Sequence, residues 1–167
     1  MSRAFTKEID DDVATDELPA RPVSPNPNYV TPMGARLLHD KVRELQALRH
    51  ELTGSDDIAI RQRLKFVERD LRYYDERART AVLVNPSTQS DDHVHFGSTV
   101  EVVDPEENTL CFSIVGEDEA DVASGKISWV SPLARALMDA QVDDTVIWQR
   151  PAGDLELTVV SIRRGSA

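Results

Sequence analysis

Two groups of side chains have the types and spacing to do chemistry. One is the adjacent carboxylates Asp56 and Asp57, which follow Gly54-Ser55; the other is His93-x-His95 beside Asp91 and Asp92. Carboxylate oxygens are hard donors suited to magnesium-like cations. Imidazole suits zinc, and residues two apart on a strand share a face, so both histidines could meet one ion. No third ligand stands out, and an ordinary surface pair without a metal is the favoured reading. The aspartates also have a plain alternative: acids in the first turn of a helix are stabilised by its dipole, and Ser55 can cap that turn. The sequence has no Gly-rich phosphate loop, no Ser/His/Asp spacing of known kind and no cysteine-based metal signature. These residues therefore imply neither a stand-alone enzyme nor an intrinsic cofactor.

The elements that carry these residues follow from periodicity. Thr31-Pro32 is a helix start, because threonine caps well and proline suits the first helical position. Leu38, Val42, Leu45 and Leu52 then recur on one face, with Leu48 at its side and a break at Thr53-Gly54-Ser55. Ile60, Leu64, Val67, Leu71, Tyr74, Ala78 and Ala81 alternate spacings of four and three, the seam of a coiled coil. Tyr73 falls outside that seam. Two seams joined by a tight turn predict an antiparallel helical hairpin over residues 31–84. After Asn85-Pro86 the period becomes two, strand-like from Val94 to Val103 and again around Phe112, Val146 and Leu157. One short helix opens at Ser131-Pro132, so residues 85–167 read as a small α+β domain. Trp129 and Trp148 belong to its core or rim.

Residues 1–30 hold Pro19, Pro22, Pro25 and Pro27 behind a run of acids, and read as a disordered acidic, proline-rich tail. The net charge of −11 argues against independent binding to a nucleic-acid backbone, which takes a basic surface. Cys111, the only cysteine, forms no internal disulfide and reads as a buried, reduced thiol. No apolar run approaches the roughly 20 residues that cross a bilayer, and the first residues lack a signal peptide's apolar core. The expectation is a cytoplasmic protein that does not engage a membrane.

Longer motifs carry a resemblance. Phe112-Ser-Ile-Val-Gly-Glu-Asp-Glu-Ala-Asp121 and Gly125-Lys-Ile-Ser-Trp-Val-Ser-Pro-Leu-Ala-Arg-Ala-Leu137 resemble the carboxyl-terminal signature of the bacterial Gre transcription factors. Phe96-Gly97-Ser98-Thr99-Val100, Pro151-Ala152-Gly153 and the opening Thr31-Pro32-Met33-Gly34 extend the likeness over about residues 29 to 163. The resemblance implies an FKBP-like antiparallel sheet with one helix, docked on bacterial RNA polymerase at the rim of its secondary channel with the hairpin pointing inward. The docking positions it implies are Ser131, Pro132 and Arg135, with the acidic loop Glu117, Asp118, Glu119 and Asp121 alongside. Read without the family, Ser131-Pro132 is simply a helix start and the acids a solvated loop. Two positions depart from the pattern: Val130 stands where some members carry an acid, and Asp143 where glycine is usual.

Members that stimulate RNA cleavage carry tip acids in a longer Asp-x-Ser-Glu-Asn motif, which helps hold a second magnesium in the polymerase active centre. Here only Asp56 and Asp57 stand at that place. The first helix is about 20 residues, roughly 30 Å, some two turns shorter than in such relatives. The chain thus looks like the short-hairpin members, of which Rnk is one, and regulation by occupying the channel is expected ahead of cleavage with the polymerase's shared Mg2+. A prolyl isomerase would need an aromatic-lined pocket, and only 5% of the chain is aromatic. A monomer is expected, with no sequence-specific nucleic-acid contact; dimerisation through an exposed seam is the structural alternative.

Overall fold

A computed structural model of the chain describes residues 18–165. Helix α1 spans Pro32–Leu52; the Thr31 hydroxyl accepts from the Gly34 N–H, and Pro32 occupies the first turn. Helix α2 spans Ile58–Arg79 and follows a five-residue turn in which Gly54 takes φ 87°. Leu45 and Leu52 bury against Val67 and Leu71, flanked by Val42, Leu48, Ile60, Leu64 and Tyr74. This is the seam that the four-and-three spacing predicts. Each buried leucine contributes roughly 1.5–3 kcal/mol, and the seam forms a core of its own, separate from that of the sheet.

The base of the hairpin is closed by two strands of two residues each. Strand β1 (Tyr29–Val30) pairs in parallel with β2 (Val82–Leu83), and the Val82 and Val84 N–H groups donate to Asn28 and Val30 carbonyls at 2.8 and 2.9 Å. Entry and exit of the hairpin are thereby hydrogen-bonded side by side.

The head is a five-stranded sheet of β3 (Ser98–Val103), β4 (Thr109–Val115), β5 (Lys126–Ser128), β6 (Thr145–Trp148) and β7 (Leu155–Arg164), in the order β5-β4-β3-β7-β6. Helix α3, Pro132–Leu137, buries Leu133, Ala134 and Leu137 among Val100, Val102, Ile114, Leu157 and Val159. The α+β class is as expected, with one difference of detail. The edge pair β4–β5 is parallel, Ile114 opposite Ile127, so the sheet is mixed rather than wholly antiparallel. Between them a turn of 3-10 helix, Val122–Ser124, and the left-handed Gly125 bring the chain back beside β4.

Three other expectations are corrected. The strand starts at Ser98, because Val94 exchanges backbone hydrogen bonds with Asp139 and Ala140 beyond α3 and Gly97 turns the chain at φ 87°. Cys111 is exposed: on β4 its neighbours Leu110 and Phe112 pack on the core, and alternation places the thiol on the solvent face. The expected tail lies outside the described residues as far as residue 17, but residues 18–28 are ordered against α2. There the Arg21 guanidinium lies 4.0 Å from the Tyr73 ring centroid and 3.6 Å from Asp70. Buried Asn28 donates to the Arg77 carbonyl and the Thr80 hydroxyl. Composition misses such contacts, since a stacked arginine and one buried amide order a segment that has few apolar side chains.

Candidate functional site

The acidic loop after β4 does not face away from the protein. Arg77, in the last turn of α2, is 1% exposed. Its Nε donates to Asp118 at 2.5 Å and its guanidinium lies 3.5 Å from Glu117. The Tyr73 hydroxyl donates to the other Asp118 oxygen at 2.8 Å. Glu119, also buried, accepts from the Thr31 hydroxyl at 2.5 Å and from Lys126 at 3.3 Å. One loop thus holds the start of α1 and the end of α2 together. The charges suit both ends: a carboxylate beside a helix N-terminus and an arginine in a last turn each complement the macrodipole.

Two glycines allow the close approach. A Cβ on Gly34 would come 2.7 Å from a Glu119 carboxylate oxygen, and one on Gly116 would come 2.5 Å from the Tyr29 carbonyl. Tyr29 itself packs edge-on against Trp129, centroids 5.1 Å apart, and lies 6.0 Å from the Phe96 ring. Trp129 therefore belongs to this joint rather than to an outward face.

Burial and the hydrogen bond to Asp118 push the Tyr73 hydroxyl up to about 12. An unfolded tyrosine releases its proton near 10, so folding holds a proton across that interval. This contribution is complete below pH 10 and is lost as pH rises through about 12. The ultraviolet absorbance of tyrosinate, taken as wild type minus Tyr73→Phe, is expected to rise with a midpoint near 12. A midpoint near 10 would contradict the buried hydrogen bond.

The other proposed docking residues stand apart from this joint. Ser131 caps α3, its hydroxyl accepting from the Ala134 N–H at 3.2 Å. Pro132 and Arg135 are exposed on that helix, and exposed Asp121 caps the 3-10 turn, accepting from Ala123. Of the tip carboxylates, Asp57 is the cap of α2, accepting from Ala59 and Ile60 N–H groups at 2.7 and 3.2 Å. Ser55 instead accepts from the Asp57 N–H, and Asp56 stays exposed. Among the described residues no group of three or more His, Cys, Asp or Glu side chains is placed to hold a metal. His93 contacts Gln141, and Asp91 pairs with Arg164. Asp143 adopts φ 73°, the left-handed region that explains glycine at that turn and that aspartate tolerates better than most residues.

Sequence reasoning missed Arg77 and Tyr73. Both lie on α2 outside the seam, and their partners are 41 and 45 residues away. The available signal was positional: Tyr73, Arg77 and Thr80 share one flank of α2, and the acids follow β4.

A helical rod clamped at its base onto a five-stranded α+β head defines the class. Residues 89–164 match the family model described as "Transcription elongation factor, GreA/GreB, C-term". Transcription elongation factor GreB of Neisseria meningitidis serogroup B is 32% identical over 81% of this chain and 93% of its own length. Transcription elongation factor GreA of Acidiphilium cryptum is 38% identical over 63% of this chain and 68% of its own. The crystal structure of GreA factor homolog 1 of Thermus thermophilus is 26% identical over 83% of this chain and 99% of its own, with a TM-score of 0.40 that adds no weight. The chain belongs to the GreA/GreB family of transcription elongation factors. No helix among the described residues is long and apolar enough to cross a membrane.

Proposed function

We propose that this protein is a cytoplasmic regulator that binds bacterial RNA polymerase at the secondary channel and acts by occupying it. The observation that supports this most is the joint. Glu119, holding the Thr31 cap of α1, and Asp118, holding Arg77 of α2, tie both helices of the rod to the head, so that docking the head would aim the tip. Exposed Pro132 and Arg135, with Asp121, form the docking face in this reading. Glu117, Asp118 and Glu119 act indirectly, by holding the rod. The tip favours occupancy over transcript cleavage, because Asp57 is committed to capping α2 and Asp56 alone is left to meet the polymerase's Mg2+.

The test is binding to core polymerase in competition with a long-hairpin Gre factor, run beside transcript cleavage on backtracked complexes. Displacement of the competitor without release of short RNA is expected, and Arg135→Glu should weaken displacement about tenfold or more. No binding at micromolar concentration would reject the proposal. Asp56→Ala with Asp57→Ala should leave displacement intact and lower stability by about 1 kcal/mol through the lost cap. RNA release that this double variant abolishes would show a cleavage cofactor instead.

A further inference from the structure

We infer that the free edge of β6 pairs antiparallel with the same strand of a second copy of this chain, joining the two sheets about a two-fold axis. β6 is one edge of the sheet, and its sequence Thr-Val-Ile-Trp holds neither a charge nor a proline. The opposite edge, β5, has three residues and opens with Lys126. Sheets guard their edges with short strands, lysine or proline, because an open row of N–H and C=O groups templates another strand. β5 is guarded in this way and β6 is not. Ile147 in β6 is also 55% exposed, a large apolar side chain with no cover.

The backbone decides which residues are open. The Val159 N–H donates to the Asp144 carbonyl at 2.9 Å, and backbone groups alternate sides along a strand. Thr145, Ile147 and, just beyond β6, Gln149 therefore turn their N–H and C=O groups away from β7. A two-fold centred on Ile147 pairs these same residues, Ile147 with its twin and Thr145 with Gln149. In that register Val146 faces Trp148, both half-buried, and Asp144 faces Arg150 on each side of the axis. Asp144 accepts from the Gln141 N–H and the Arg150 Nε donates to the Gly153 carbonyl, but among the described residues neither has an ion-pair partner. With the axis one residue earlier, Asp144 would face Trp148 and Arg150 would face Val142. Charge complementarity thus favours the Ile147 register, and it favours a copy of the chain as occupant: one strand with an acid at its start and an arginine at its end matches itself when reversed.

The edge is short, so a Kd on the order of 10–100 µM is expected, and the monomer expected from the sequence is then the dilute form. This inference does not depend on the polymerase reading. Sedimentation of the full-length chain from about 5 to 500 µM tests it, in reducing buffer so that exposed Cys111 forms no cross-link. The mass should rise towards twice that of the monomer, and a monomer at every concentration would overturn the inference. Asp144→Arg and Arg150→Asp, each alone, set like charges opposite each other and should weaken pairing tenfold or more. Mixing the two variants places opposite charges at both contacts and should restore association to within about threefold of wild type. A variant that had merely misfolded would not recover on mixing, so recovery reads the contact itself. Single variants that associate as well as wild type, or a mixture that stays monomeric, would overturn the paired edge.

Discussion

Replacing Arg77 by methionine is expected to cost about 3–5 kcal/mol of folding stability, the usual effect of removing one partner from a buried ion pair. Its side chain is 2% exposed and faces Asp118 and Glu117, which are 14% and 21% exposed. Methionine can fill the space but leaves both carboxylates partly buried without a cation. Such a loss is a large fraction of the roughly 5–15 kcal/mol that holds a domain folded. Arg77→Lys should recover only part of it, because one ammonium cannot reproduce a guanidinium that meets two acids at once. Urea denaturation measures both variants, and a double-mutant cycle with Asp118→Asn isolates the pair. The double variant should lose well under the sum of the singles. A loss below about 1 kcal/mol for Arg77→Met would mean that the joint is solvated and weak.

Leu71→Ala should cost about 3 kcal/mol, within the range for deleting a buried leucine and leaving its cavity. Leu71 is 5% exposed and packs in the seam with Leu45, Leu52 and Val67. Because that seam is a core separate from the sheet's, the loss should be local. Hydrogen exchange would show α1 and α2 amides losing protection while β3, β4 and β7 keep theirs. Equal loss across hairpin and head would mean that the two cores unfold as one unit.

The parts of this molecule legible in its sequence are those with a repeating pattern. The hairpin could be read because Ile60, Leu64, Val67, Leu71 and Tyr74 keep one period over many turns and Thr31-Pro32 marks the first helix start, whereas the second helix is capped by Asp57 and not by Ser55. The strands Tyr29–Val30 and Val82–Leu83 are too short to have a period, and their pairing joins residues 53 positions apart. For the same reason the parallel edge strand Lys126–Ser128 carries no sign of its direction. The acidic loop misled in a more instructive way. Charged residues between a strand and a turn read as solvated or outward-facing, since sequence alone does not show that Arg77 and Thr31 meet them. Of the positions named from the motif, Asp121, Pro132 and Arg135 are exposed, and their role in docking is left to the binding test.

The parallel pairing of Tyr29–Val30 with Val82–Leu83 makes the protruding element modular. Because the chain leaves and rejoins the head through one stapled doorway, matched blocks of seven residues could be spliced into or cut from both helices without moving the staple. The length of the rod is then adjustable for evolution or for an engineer, independently of the fold of the head.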